Sequence, residues 1–152
     1  MLPTPTKYTL VAGAGEGQTP LNAFDRALLE SGAGNVNLIR VSSILPPGAR
    51  YVETLPLPPG ALVPVAYGAI KSSTPGDRIA AAVAVGIPEQ GFGVIMEYSG
   101  YNYREEAERI IRQMVEEAFA MRGMEIKTYM VKAVEHRVQK AGAAFAGLLM
   151  WY

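Results

Sequence analysis

Arg78-Ile-Ala-Ala-Ala-Val-Ala-Val-Gly-Ile87 carries one charge, at its first position, and is otherwise built of small and β-branched apolar residues. A run of this length and composition reads as a strand buried on both faces. It therefore needs a layer of structure above it and another below. Upstream, Ala61 to Ile70 reads as a strand, with Lys71 to Gly76 as a hairpin-type turn. Downstream, Phe92 to Glu97 is a further strand that ends in Tyr98-Ser99-Gly100.

Tyr103 to Arg122 has helical periodicity. Ala107, Ile110, Ile111, Met114, Val115, Ala118 and Met121 form one apolar stripe, and the opposite face is rich in Glu and Arg. Asn102 with Glu105 is a candidate capping box, and Gly123 closes the helix. Glu125 to Val138 and Ala143 to Tyr152 are two final strands joined through Gln139-Lys140-Ala141-Gly142. At the other end, Lys7 to Ala14 is a first strand and Gly13 to Gly17 a glycine-rich loop. A short helix follows, with Thr19 as N-cap, Pro20 in the first turn, Leu21, Phe24 and Leu28 at helical spacing, and Gly32 and Gly34 at its end. Asn35 to Ser43 is a strand that runs into Ile44-Leu45-Pro46-Pro47-Gly48. The order β-α-β-β-β-β-α-β-β has few parallel crossovers, so the fold class is α+β with largely antiparallel or mixed sheets. Two helices are too few to cover sheets of this extent; a layered sandwich that trimerises would complete the cover.

The 152 residues fit one domain, and 49% hydrophobic against 18% charged residues exclude a disordered chain. Fourteen Lys plus Arg balance fourteen Asp plus Glu. A neutral chain has no electrostatic footprint for nucleic acid or an anionic membrane. Cysteine is absent, which removes thiolate metal sites and cysteine nucleophiles and is compatible with a cytoplasmic protein. His136 is the only histidine, so a multi-histidine metal site is excluded. It lies among charges and is expected to be exposed or at an interface. No secretory leader is read at the N-terminus, and the longest apolar run, Ala141 to Tyr152, is shorter than the roughly 20 residues that span a bilayer. Gly13 to Gly17 does not complete a dinucleotide fingerprint, because the third glycine would fall on Gln18. Chemistry must come from Ser, Tyr, Lys and carboxylates, or from something made out of them.

Ser42-Ser43 stands where a strand meets a Pro-Pro block. A serine hydroxyl can add to the preceding carbonyl if the fold strains that amide and donors hold the oxyanion. Acyl transfer to the hydroxyl gives an ester, and β-elimination then frees a chain ending at Ser42 and leaves dehydroalanine at 43. Hydrolysis of that by water, with loss of ammonia, leaves a pyruvoyl group at 43. Such a ketone can form a Schiff base with an amino acid and act as an electron sink. By itself a serine pair is an ordinary polar strand end, and Ser72-Ser73 is a second one.

The surrounding residues carry more. Asn37-Leu38-Ile39-Arg40-Val41-Ser42-Ser43-Ile44-Leu45-Pro46-Pro47 resembles the self-cleavage segment of pyruvoyl-dependent arginine decarboxylases. Gly13 to Gly17, Leu21 to Leu28 and Ile95 to Gly100 continue the resemblance over nearly the whole chain. It implies a four-layer αββα sandwich and a single domain over 1–152, cut into 1–42 and 43–152. It implies a covalent pyruvoyl cofactor from Ser43, without metal or pyridoxal phosphate, and homotrimers with active sites between subunits; whether trimers pair into dimers of trimers stays open here. Under it, Ser43 and Glu97 are catalytic, Glu97 as proton donor, and Asn37 assists cleavage or orients the substrate. Asp25 faces the guanidinium, and Leu28, Ser42 and Ile44 line the substrate site. The reaction implied converts arginine to agmatine and carbon dioxide. Two alternatives stay open here: the same chemistry on another amino acid, and a non-enzymatic oligomeric domain of the same fold that binds a small ligand.

Overall fold

The structure, a computed structural model, describes residues 2–152. Its elements are β1 (Lys7–Glu16), α1 (Pro20–Ser31), β2 (Asn37–Arg40), β3 (Ile44–Leu45), β4 (Arg50–Tyr51), β5 (Leu62–Ser72), β6 (Arg78–Ile87), β7 (Gly93–Gly100), α2 (Arg104–Met121), β8 (Thr128–Arg137) and β9 (Gly142–Trp151). They form two sheets, one in the order β2-β5-β9-β1-β4 and the other β3-β7-β6-β8. Most pairings are antiparallel; β1 with β4 and β2 with β5 are parallel. Helix α1 packs on the first sheet and α2 on the second, and the two sheets pack on each other through β5, β1 and β9 against β6, β7 and β8. The architecture is an α+β sandwich layered α-β-β-α.

Period-two alternation explains the layering. In β6, Ile79, Ala81, Val83 and Val85 enter the core between the sheets, while Ala80, Ala82 and Ala84 face α2. The central strand is thus buried on both faces, as its composition predicts. In β9, Ala144, Ala146, Leu148 and Met150 face the other sheet, and Ala143 and Phe145 face α1.

Four local readings change. The strand expected over Asn35 to Ser43 ends at Arg40, because the chain there leaves one sheet for the other. The proline-rich stretch after it contains two short strands, β3 and β4, rather than loop alone. The Gly13–Gly17 loop is mostly strand, since β1 runs to Glu16. Its glycines face α1: a Cβ at Gly13 would strike Ala27 O and sit 2.6 Å from Ser31 N, and one at Gly17 would sit 2.5 Å from Ala23 N. They bring the helix backbone down onto the sheet. At α2, Tyr103 is the N-cap and makes no side-chain cap bond. Asn102 Oδ1 instead accepts from Tyr103 N–H at 2.9 Å, and Glu135 of β8 accepts from Arg104 N–H at 3.0 Å. Elsewhere Thr19 Oγ1 accepts from Asn22 N–H, and Gly32 (φ 92°) ends α1 in the left-handed conformation that glycine adopts without strain.

Gly13→Ala should therefore lower stability by about 1–3 kcal/mol through overpacking against rigid helix backbone. Urea or thermal denaturation checks this, and unchanged stability would contradict it.

Candidate active site

β2 is hydrogen-bonded into the first sheet and β3 into the second, so Val41-Ser42-Ser43 is the segment that crosses between them. Both of its ends are tied. Val41 N–H donates to Val65 O at 2.9 Å, and Ile95 N–H donates to Ser43 O at 2.7 Å. Pro46 and Pro47 follow at once and have no N–H for a ladder, which keeps β3 to two residues.

The β3–β7 register pairs Ile44 with Val94 and Leu45 with Gly93. Continued by one residue, it sets Ser43 opposite Ile95. Leu45 and Ile95 both enter the core between the sheets. Alternation therefore turns the Ser43 side chain to that same inner face and Ile44 to the outer one, where Ile44 is 41% exposed. Glu97 lies two residues beyond Ile95, on the inner face at its rim. Diagonal neighbours of this kind have β-carbons roughly 7–8 Å apart. The register thus places Glu97 diagonally across from Ser43, and Ser42 is exposed.

Glu97 is half-buried, and burial pushes its carboxyl above the usual carboxylate range. The Arg40 guanidinium, 3.8 Å from Glu97 Oε1, offsets part of that rise. Arg40 is itself fixed. It donates to Tyr67 O at 2.6 Å, and its guanidinium carbon stands 4.2 Å from the centre of the Tyr67 ring. Together with Phe24, Lys71 and Ser99 these groups line a cavity of about 320 Å³. A second, more apolar cavity of about 240 Å³ is lined by Ser42 and Ile44 with Leu2, Pro3 and Met150.

The remaining expected residues stand apart from this centre within one chain. Asn37 is at the far end of β2, where its side-chain amide donates to Gly60 O at 3.1 Å. Six residues of extended chain separate it from Ser43 by up to roughly 20 Å. Asp25 is exposed on α1, although its neighbour Phe24 reaches the Glu97 cavity. Leu28 packs on the small core of Ala23, Ala27, Ala143 and Phe145. His136 is neither exposed nor free: its Nε2 lies 2.5 Å from Glu16 Oε2, and Glu16 also accepts from the backbone N–H of Gln139 and Lys140. Ser72 of the second serine pair is buried and donates to Asp77. Arg40 and Tyr67 were not singled out from sequence. The signal available was an arginine at the end of the strand that leads to the serine pair.

Comparison with known proteins decides the family. A model of pyruvoyl-dependent arginine decarboxylase matches residues 7–149. The chain belongs to the pyruvoyl-dependent arginine decarboxylase family. A Methanocaldococcus jannaschii protein of that name is 53% identical over 150 residues, covering 97% of this chain and 91% of the relative. A Pyrococcus horikoshii protein of the same name is 47% identical over 152 residues, covering 97% and 96%. One from Methanococcus maripaludis is 46% identical, covering 97% and 92%.

A decarboxylase of this family carries a covalent pyruvoyl group, and the expectation that it sits at position 43 can be set against two features of that residue. The residue 43 carbonyl would survive conversion of the serine, and it is already held by Ile95 N–H. The Ser43 side chain is partly buried rather than open to solvent.

The Glu97 charge is disfavoured in the fold, since its folded pKa lies above its unfolded one. Its protonated form stabilises fully below the unfolded pKa, and that stability is lost as pH rises through the folded pKa. Glu97→Gln should remove this decline. Melting curves of the two proteins should diverge in the variant's favour as pH rises from about 4, the ordinary carboxyl value; parallel curves would contradict the assignment.

Proposed function

We propose that this decarboxylase cuts itself between Ser42 and Ser43, turns Ser43 into its pyruvoyl group, and converts L-arginine to agmatine and carbon dioxide. The observation that supports the reading is the hydrogen bond from Ile95 N–H to Ser43 O, which ties residue 43 to β7, the strand that carries Glu97, at the crossing between sheets.

In the cut, Ser43 Oγ adds to the Ser42 carbonyl and the amide nitrogen leaves, so the acyl group moves from nitrogen to oxygen. Loss of the Ser43 α-proton then expels the Ser42 carboxylate and leaves a carbon–carbon double bond at residue 43. Tautomerisation and attack by one water release ammonia and leave a ketone. Crossing residues tethered at both ends suit this step, because the segment between the tethers can twist without the ladders paying for it.

The pyruvoyl ketone, next to an amide carbonyl, supplies a sink for the electron pair that remains when carbon dioxide departs. Glu97 then delivers a proton to the substrate's Cα. A carboxyl raised by burial still holds that proton nearer neutrality than an ordinary one does, as general-acid work requires. Asp25 takes the substrate guanidinium through paired hydrogen bonds to its carboxylate. Leu28 and Ile44 line the apolar part of the path, Ser42 borders it, and Asn37 orients the substrate or assists the cut.

These residues meet in a homotrimer, with pairs of trimers as a further level. Asn37, Asp25 and Leu28 lie away from their own Ser43, so an adjoining subunit supplies them. Exposed Ile39 (45%), Ile44 (41%) and Leu62 (61%) give an apolar surface beside the serine pair for such a neighbour. Cytoplasmic residence belongs to the same proposal, and a chain without cysteine is compatible with it.

Intact-mass measurement on the purified protein, with assay of carbon dioxide released from arginine, tests the proposal. Two fragments are expected, 1–42 and 43–152, the larger lighter by one ammonia than a simple hydrolysis product. Ser43→Ala should stay whole and inactive. A wild-type chain that stays whole would overturn the reading, and a cleaved chain that decarboxylates a different amino acid would overturn the arginine assignment.

A further inference from the structure

We propose that Arg40 is a positioning residue for the reaction: from the strand just ahead of the cut, its guanidinium holds the Glu97 carboxyl, beyond the cut, in place. The inference rests on Glu97 being the proton donor, as proposed above.

Two contacts hold the guanidinium before it meets Glu97. The Tyr67 carbonyl accepts from Nη2 at 2.6 Å, the Tyr67 ring lies under the plane at 4.2 Å, and Glu97 Oε1 stands 3.8 Å from Nη2. A cation held over a ring and anchored to a carbonyl loses part of its freedom even at an exposed position, so it can orient a partner. Arg40 and Tyr67 belong to the first sheet and Glu97 to the second, so the contact spans the gap between them. Cleavage gives this geometry a further meaning. Arg40 remains on the 1–42 fragment, while Glu97 and residue 43 belong to 43–152. The short fragment thus stays a working part of the site, and the ion pair is one of the contacts that join the two fragments.

The same contact adjusts the acid. Around Glu97, β2 contributes Arg40, β5 contributes Tyr67 and Lys71, β7 contributes Tyr98 and Ser99, and α1 contributes Phe24. On β6 its partner is Val83. Arg40 is the cation within ion-pair distance of Glu97, and it opposes the rise caused by burial. An acid left too weak surrenders its proton poorly, so a partial offset keeps the donor near its working pH.

The test uses Arg40→Met and Arg40→Lys. In the Ser43→Ala background, which needs neither cleavage nor activity, carbon-13 NMR follows the Glu97 carboxyl, assigned by its loss in Glu97→Gln. Arg40→Met should move the Glu97 midpoint to higher pH, and Arg40→Lys should leave it nearer its starting value. In the otherwise wild-type protein, the processed fraction of Arg40→Met should lose about 10- to 100-fold in kcat, the scale of a misplaced catalytic group. The alkaline limb of its kcat profile should shift upward with the NMR midpoint. A midpoint unmoved by Arg40→Met would overturn the proposal, and so would a cleaved variant with unchanged kcat and pH profile. Failure of the pyruvoyl reading itself would appear separately, as a wild-type chain that neither cuts nor turns over arginine.

Discussion

The hydrogen bond from Ile95 N–H to the Ser43 carbonyl is the constraint on which the crossing depends, because it fixes where a chain in transit between two sheets comes to rest. Were residues 41–43 an ordinary loop, the serine pair would have no defined neighbour. Tied to β5 on one side and to β7 on the other, the crossing has two fixed ends and little slack. Register does the rest. A pairing that sets Ile44 against Val94 also sets Ser43 on the same face as Glu97, and a slip of one residue would turn Ser43 to the outer face.

That arrangement depends on how closely the layers approach. Gly68 of β5 lies so near β7 that a Cβ there would sit 2.7 Å from Tyr98 O. The gap between sheets is narrow at this point, next to Glu97, and the carboxyl is left half-dry at the rim. Arg40 and Tyr67 reach it from the facing sheet. The alanines of β6 that face α2, and the glycines of β1 that face α1, serve the same end on the outer surfaces. Small residues bring each layer close, and larger apolar side chains such as Phe119 under α2, Phe145 under α1 and Ile79, Ile95 and Leu148 between the sheets fill the three interfaces.

Much of this was legible in the sequence. The small-residue run at Arg78–Ile87 marks a strand covered on both sides, and it is one. Thr19-Pro20 and the stripe from Ala107 to Ala118 locate both helices, because caps and periodicity are local signals. The motif blocks carry the family. What could not be read was non-local. Nothing between Asn35 and Ser43 announces a change of sheet, since a strand's composition does not say which partner it pairs with. The glycines of Gly13–Gly17 suggest a loop until the helix packed on them is known. Asn102 and Glu105 have the spacing of a capping box, but Glu135, some thirty residues on, takes an N–H of the first turn instead. Arg40 was legible only as a strand residue, because its partner Glu97 lies on the other sheet.

The most direct test of the central claim is a crystal structure of the purified wild-type protein. The account predicts a chain broken between residues 42 and 43, with the residue 43 carbonyl still on Ile95 N–H and Glu97 turned towards position 43 from the same face of β7. An unbroken, relaxed peptide at that position, or a residue 43 drawn away from β7, would contradict it.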